Sequence, residues 1–297
     1  KELEMSRCLV TGHKGYIGSK LFAKLQELGH EVIGIDLNDK ISNDILRVLQ
    51  EGHDGRFHPH YFNFKPEYIF HLACWPRIGY CMEKPVDTMR NNVLAGSIVL
   101  NFAKKVGAKR LIYSSSSSVV GNGDGPTNPY ALQKLVTEIE SRIYSEIYGL
   151  DTVSLRYFNV YSEDQTASGA YATAVSNWMH YIREGGQPFV TGDGEQRRDM
   201  VHVDDVVSAN IFAMDYKEDF SGENYDVGTG DNISLNNIKE IVNLLFPAVK
   251  FVYKDSRPNE VARTRANISP LQELGWKAET SIKNGIFRCF KQLQKKA

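Results

Sequence analysis

Arg-Cys-Leu-Val-Thr-Gly-His-Lys-Gly-Tyr-Ile-Gly-Ser-Lys-Leu-Phe-Ala-Lys-Leu-Gln-Glu-Leu-Gly-His-Glu-Val-Ile-Gly-Ile-Asp, residues 7–36, is the stretch whose reading decides the fold. A short apolar run, Cys8 to Val10, ends at Thr11, and Gly12, Gly15 and Gly18 follow. Leu21, Phe22, Leu25 and Leu28 then recur at helical spacing until Gly29, and a second apolar run (Val32, Ile33, Ile35) ends on Asp36. The period passes from strand to helix and back, which predicts one β-α-β unit. Gly12 permits a tight turn, Gly15 lets the backbone approach a pyrophosphate, and Gly18 lets the helix lie close on the sheet. The backbone N–H groups and dipole at the helix start then face the phosphates. A carboxylate at Asp36 accepts hydrogen bonds from an adenosine ribose and repels a 2′-phosphate, so NAD is expected rather than NADP.

The chain has 297 residues, enough for one large domain or two modest ones. Lys plus Arg number 35 against 36 Asp plus Glu, a net charge of −1. With no global field, neither nucleic acid nor a membrane is an expected partner, and any bound anion must be gripped by local groups. Cys8, Cys74, Cys81 and Cys289 form no CxxC pair, which predicts free thiols in a reducing compartment. The first residues are charged and no apolar run approaches membrane-spanning length, so a cytoplasmic location is expected. No metal is expected.

Beyond Asp36, Ile45, Leu46, Val48 and Leu49 fit a short helix, while residues 51–66, rich in Gly, His, Asn and Pro, read as an irregular connection. Tyr68 to Ala73 reads as a buried strand, residues 86–106 carry apolar positions at helical spacing, and Lys109 to Ser114 reads as a further strand. That strand runs into serines 114–118. A serine run is commonly a linker, but this one abuts an apolar strand and precedes Val119, Val120 and a glycine-rich turn, which places it at the sheet edge that carries the first glycine turn. Asn128-Pro129 begins a helix over 130–148 that Gly149 ends, and Val153 to Phe158 forms another strand.

This alternation predicts an α/β fold, a Rossmann-type doubly wound parallel sheet. From about residue 160 the pattern changes, with a helix at 172–184, the turn Gly192-Asp193-Gly194, and a helix at about 203–214. The expected division is a dinucleotide-binding domain of residues 1–160 with parts of 200–230, and a smaller α/β C-terminal substrate domain of residues 161–199 and 231–297.

Tyr130 and Lys134 are four apart and share one helix face. A phenol with a reference pKa of about 10 is a poor base at neutral pH. A lysine one turn away, beside a positive nicotinamide ring, is expected to favour the phenolate and lower that value. A serine hydroxyl from the neighbouring strand end could hydrogen-bond the same substrate oxygen, so the three together could take a proton from a carbinol while NAD removes the hydride.

These residues assemble into a resemblance. Gly12-x-x-Gly15-x-x-Gly18, His71-Leu72-Ala73, Asn92-Val93-x-x-Gly96, the serine run ending in Gly121, Pro129-Tyr130-x-x-x-Lys134, Arg156 to Tyr161, Gly192-Asp193-Gly194 with Arg198-Asp199, and Arg257-Pro258 resemble the extended short-chain dehydrogenase/reductase family. Within it they look most like UDP-glucose 4-epimerase and related nucleotide-sugar 4-epimerases, over nearly the whole chain in order. The resemblance implies Ser116 as the catalytic hydroxyl, Tyr130 as the base, and Lys134 as its tuner and a nicotinamide-ribose contact. It implies cofactor contacts at Gly12, Gly15, Tyr16, Ile17, Gly18, Asp36, Asp44, Ile45, Leu72, Ala73, Asn92 and Tyr157. Asn159, Arg198, Arg257 and Glu260 match positions that hold the nucleotide diphosphate, with the arginines supplying local positive charge. Thr264, seven positions after Arg257, matches a residue beside the sugar C2 substituent. A threonine there would leave room for an acetamido group, although threonine is also common in β segments.

The implied reaction is epimerisation at C4 of a UDP-hexose or N-acetylhexosamine through a 4-keto intermediate. The implied assembly is a homodimer through helices 86–106 and 130–148. The sequence departs from the family pattern in a short segment between Asp36 and Asp44 and in only thirteen residues between Ser116 and Tyr130. Val120 stands where the pattern has tyrosine and Ser162 where it has glycine. A dehydratase or decarboxylase of the same fold would carry an acid just after the catalytic hydroxyl, where this chain has Ser117 and Ser118. A silent NAD-binding regulator would tend to lose the tyrosine or lysine, and both are kept. Cys74 could be a reactive thiol but reads better as packing, and His71 and His202 read as structural.

Overall fold

The computed structural model describes residues 5–39, 44–52, 56–76, 78–121, 123–165, 173–256 and 261–294. In chain order the elements are β1 (Arg7–Thr11), α1 (Tyr16–Glu27), β2 (Glu31–Ile35), α2 (Ile45–Val48), α3 (Pro59–Phe64), β3 (Tyr68–His71), α4 (Ile78–Glu83), α5 (Pro85–Met89), a π turn (Arg90–Leu94) and α6 (Ala95–Val106). They continue with β4 (Arg110–Ser116), a 3-10 turn (Ser117–Val120), α7 (Pro129–Tyr148), β5 (Asp151–Tyr157), α8 (Ala174–Arg183), β6 (Phe189–Thr191) and β7 (Arg197–Arg198). The last are α9 (Val203–Asp215), β8 (Asn224–Val227), β9 (Ile233–Ser234), α10 (Leu235–Leu245), β10 (Val252–Lys254), α11 (Ser269–Glu273) and α12 (Ile282–Gln294). Two compact units result, residues 1–156 with 207–225 and residues 157–206 with 226–297.

In the first unit the sheet has the order β2-β1-β3-β4-β5-β8, the doubly wound α/β architecture expected. The chain leaves β1 for β2 on one side and resumes at β3 on the other, so the topological switch lies between β1 and β3. Parallel register aligns Thr11 with Ile35 and His71, and His71 with Tyr113. The next residues, Gly12, Asp36, Leu72 and Ser114, therefore stand in one row at the carboxyl edge. Beneath the sheet, Leu9, Ile35, Ile69 and Leu111 pack with Val99, Phe102 and Ala103 of α6. Each such side chain withdrawn from water contributes about 1.5–3 kcal/mol.

Three local expectations change. The stretch 51–66 contains α3, because Pro59 occupies the first helical position and Tyr61 is buried below it. A further helix, α4, precedes the expected one at 86–106, and that segment is α5 and α6 joined by the π turn. The serine run divides, with Ser114 to Ser116 completing β4 and Ser117 opening the 3-10 turn.

A buried ion pair fixes the base of this sheet. Arg110 and Asp151 are 5% and 7% exposed and pair directly. The guanidinium also donates to the carbonyls of Ala213, Tyr216 and Glu218 at 2.6, 2.9 and 2.7 Å. Asp151 accepts from the Phe220 and Ser221 N–H groups at 2.8 and 3.0 Å. Desolvating two charges is tolerated because four of the five guanidinium N–H groups and both carboxylate oxygens are engaged.

The second unit packs α8, α10 and α12 around Trp178, Met179, Val190, Ile286 and Phe290, with two-stranded pairs β10-β6 and β7-β9. Thr173 and Ser176 form a capping box at α8. Ser162, where the family pattern has glycine, is buried and donates to Asp164 at 2.6 Å.

Candidate active site

The glycine turn is shaped by what it lacks. Gly12 has φ +74°, and a Cβ there would lie 2.8 Å from the Ala73 nitrogen. A Cβ on Gly18 would lie 2.1 Å from the Gly12 carbonyl oxygen, so α1 sits directly on the turn. Gly15 caps α1 with no side-chain hydrogen bond, leaving the space before the helix start to a ligand. The Asp36 carboxylate accepts from the Lys14 and Asn38 N–H groups at 3.0 and 2.9 Å, and each oxygen retains further accepting capacity. The Lys14 ammonium is held by Asp39 at 2.7 Å. Asp44 accepts from Leu46 N at 2.9 Å as the cap of α2, and Ile45 behind it is buried. This cradle, a turn whose glycines let the backbone of β1, β3 and α1 close up around a helix start with no side-chain cap, with a carboxylate at the next strand end, fits a dinucleotide with a free adenosine ribose.

Thr11 and His71 support the segment after β3. The Ala73 N–H donates to Thr11 Oγ1 at 3.2 Å, and that oxygen lies 2.8 Å from His71 Nδ1. An arrangement in which Thr11 donates to Nδ1 satisfies the Ala73 N–H, the Thr11 hydroxyl and Nδ1, and leaves the buried Nε2 as a donor without a side-chain or backbone partner among the described residues. Burial, aided by the Lys134 ammonium, holds the His71 pKa down to about 3, so the ring is neutral and structural. Burial likewise raises the Cys74 thiol. All four cysteines are free thiols.

Ser116, Tyr130 and Lys134 come together at the end of β4 and the start of α7. Asn128 caps that helix by accepting from Ala131 N at 3.0 Å, with Pro129 at its first position. Lys134 donates to the Ser114 carbonyl at 2.6 Å and stands 6.0 Å from the Tyr130 ring centre and 4.9 Å from that of Tyr113. Ser116 stands close enough to the Tyr130 phenol to oppose a rise in its pKa, and its hydroxyl oxygen accepts from Ser118 N at 3.2 Å. The protein's own groups do not by themselves lower the Tyr130 pKa. Burial pushes the phenol well above its ordinary value, and Lys134 and Ser116 pull it back only in part. A single ammonium does not offset the desolvation of this half-buried phenol. Tyr113, also buried, is raised to about 12.

One residue that positions this group, Glu138, carries no sequence signal. Glu138, one turn beyond Lys134, accepts from Ser115 and takes a bidentate pair from Arg156 at 2.9 and 2.7 Å. That fork ties α7 to both β4 and β5. Asn92, in the π turn, accepts from Trp75 N at 2.8 Å and from Asn91 at 3.1 Å. Its Nδ2 donates to Trp75 O and Gln133 Oε1 at 3.2 and 2.7 Å. The amide expected to touch cofactor thus spends both hydrogens on protein. Gly123 N and Gly125 N both donate to Val120 O, at 2.9 and 3.3 Å.

The second unit gathers another set. Tyr157, at the end of β5, is buried. Asn159 has φ +40° and donates to the Asp199 carbonyl at 2.6 Å. Arg198 donates to the Arg197 carbonyl at 3.0 Å. Thr264 Oγ1 accepts from Asp199 N at 3.2 Å, so its hydroxyl is turned to the backbone. Asp199, which sequence reasoning left without a role, is fully buried and accepts from Thr229 N and Oγ1, Gly230 N and Ala266 N at 2.9–3.0 Å. It locks together the backbone that carries Arg198 and Thr264. Arg257 and Glu260 lie outside the described residues. His202 meets Glu163 at 2.8 Å and is structural. Among the described residues no cluster could hold a metal ion, and no helix is long and apolar enough to cross a membrane.

Comparison with known proteins agrees with this fold. The profile of the NAD dependent epimerase/dehydratase family matches residues 8–228. A putative UDP-glucose 4-epimerase of Methanocaldococcus jannaschii is 30% identical, over 94% of this chain and 96% of its own. The crystal structure of a UDP-glucose 4-epimerase with UDP-glucose from Thermotoga maritima is 28% identical with a TM-score of 0.85, covering 98% of this chain and 99% of its own. A UDP-N-acetylglucosamine 4-epimerase of Methanobrevibacter ruminantium, in complex with UDP-N-acetylmuramic acid, is 26% identical with a TM-score of 0.86, covering 99% and 100%.

Proposed function

The chain belongs to the NAD dependent epimerase/dehydratase family, and from that premise we propose that it inverts C4 of a UDP-hexose or UDP-N-acetylhexosamine. The observation that carries this reading is the grouping of Ser116, Tyr130 and Lys134 on the strand edge that also bears the glycine turn. Gly12, Gly15, Gly18 and Asp36 hold NAD, with Tyr16, Ile17, Asp44, Ile45, Leu72, Ala73 and Tyr157 along its length. When bound, the dinucleotide supplies acceptor and donor for the C4 hydrogen and a positive ring that favours the Tyr130 phenolate. Tyr130 takes the proton of the 4-hydroxyl and returns it once the 4-keto sugar has presented its other face. Ser116 donates a hydrogen bond to the same oxygen. Lys134 holds the phenolate and the nicotinamide ribose. Asn159, Arg198, Arg257 and Glu260 hold the diphosphate, and Thr264 faces the C2 substituent.

The test is incubation with UDP-glucose, UDP-galactose and their N-acetyl forms, with products identified by NMR and mass spectrometry. Product mass should equal substrate mass, with no NADH accumulating. Loss of water or carbon dioxide would move the assignment to a dehydratase or decarboxylase, against which Ser117 and Ser118 stand in place of an acid.

A further inference from the structure

We propose that Gln133 is a positioning residue that couples the helix bearing Tyr130 and Lys134 to the cofactor-facing segment after β3, a role that rests on the epimerase reading above. Gln133 is 1% exposed and Thr88 0%. A chain of side-chain hydrogen bonds runs through them. Gln133 Nε2 donates to Thr88 Oγ1 at 2.9 Å, and Thr88 in turn donates to the Lys84 or Pro85 carbonyl at 3.0 or 3.2 Å. At the other end Gln133 Oε1 accepts from Asn92 Nδ2, whose amide clamps the N–H and C=O of Trp75 at 2.8 and 3.2 Å.

The direction of every bond is fixed. Trp75 N–H requires the Asn92 oxygen, which turns the Asn92 nitrogen toward Gln133, so only the Gln133 oxygen can face it. Turning either amide over would set two donors against each other in a buried site. The π turn contributes by carrying Asn92 on a locally widened helix, a feature common at functional sites. The result is that Trp75 is held from α7, two residues beyond Ala73, which Thr11 holds from β1. Gln133 is flanked in sequence by the catalytic helix residues, so the same rigid turn sets Lys134 against the Ser114 carbonyl and Asn92 against Trp75. Asn92 thereby acts on the cofactor through Trp75 and the backbone of that segment.

The experiment measures NAD affinity by titration calorimetry and amide exchange by mass spectrometry on the full chain, for Gln133→Leu, Thr88→Val, Asn92→Leu and the Gln133→Leu/Asn92→Leu double variant. Gln133→Leu should weaken NAD about tenfold, since it leaves the Asn92 donor buried and unpaired. Exchange should quicken in the peptide covering 72–76 and stay unchanged in β1. Thr88→Val, the milder change, should act in the same direction by about two- to threefold. The double variant should bind NAD no more weakly than the poorer single one, because both remove one chain. Wild-type NAD affinity in Gln133→Leu, additive losses, or faster exchange spread evenly through α7 and β4 would overturn the proposal. If the unmutated protein turns over no nucleotide sugar, the epimerase reading fails while these binding and exchange measurements still decide the role of Gln133.

Discussion

Tyr130 shows how a residue can be legible in identity and not in state. The Tyr-x-x-x-Lys spacing marks the pair, but the sign of the net shift depends on enclosure that spacing does not encode. Because the folded pKa is raised, the stability gained by burying the neutral phenol is fully present below its ordinary value of 10.0 and is lost as pH rises through the higher folded value. Without NAD, Tyr130 should therefore keep its proton through the ordinary tyrosine range, and binding NAD should bring its titration down. Ultraviolet difference spectra between the unmutated protein and Tyr130→Phe, with and without NAD, read this directly; a titration unmoved by NAD would contradict it. Asp36 is the opposite case, since the end of the second apolar run places it without help. NAD should bind more tightly than NADP, and Asp36→Ala should narrow the preference by removing the ribose acceptor; equal affinities in the unmutated protein would remove the argument. Thr264 lies between these cases. Its hydroxyl is spent on Asp199 N, so Thr264→Tyr exchanges that bond for bulk. The variant should suppress turnover of N-acetylhexosamine substrates while sparing plain hexoses. An unchanged ratio between the two classes would show that Thr264 does not gate the pocket.

Among the elements, strands and long helices were legible because their apolar periods are long enough to exceed local noise, as in the run Val10, Leu21, Leu25, Ile35. The short helices were not. The start of α3, His58 as its cap followed by Pro59 and His60, carries no apolar period, and only burial of Tyr61 shows why it coils. The π turn needs one extra residue between two helices, and no apolar spacing distinguishes it from a continuous helix. Asp199 and Glu138 were hidden for another reason: their partners are backbone amides or side chains far along the chain. The Arg110–Asp151 pair is of the same kind and gives a measurable consequence. Arg110→Met would leave Asp151 charged and buried and three carbonyls without donors, so unfolding in urea should show a loss of about 3–5 kcal/mol. A loss below about 1 kcal/mol would mean that water replaces the guanidinium.

For the molecule as a whole, what α7 leaves exposed matters as much as what it buries. One face carries Gln133, Thr137, Glu138 and Ser141 inward. The opposite face exposes Leu132 and, two turns on, Ile139, Ile143 and Ile147 on successive turns, the last 67% accessible. The preceding helical segment adds exposed Met82, Val86, Met89 and Leu94. Scattered apolar residues on a surface need no explanation, but a stripe along one long helix beside a second apolar stretch is a surface that water disfavours. Two copies related by a twofold axis would each cover the other's stripe, packing two helices from each subunit as a four-helix bundle. A homodimer is therefore expected, formed through α7 and the helical segment that ends in α6. Static light scattering at micromolar concentration should give twice the chain mass, and Ile139→Glu with Ile143→Glu should give a folded monomer, since two carboxylates facing their symmetry mates cannot be buried unpaired. A monomer from the unmutated chain would count against the dimer, and a double variant that still dimerises would move the interface off α7.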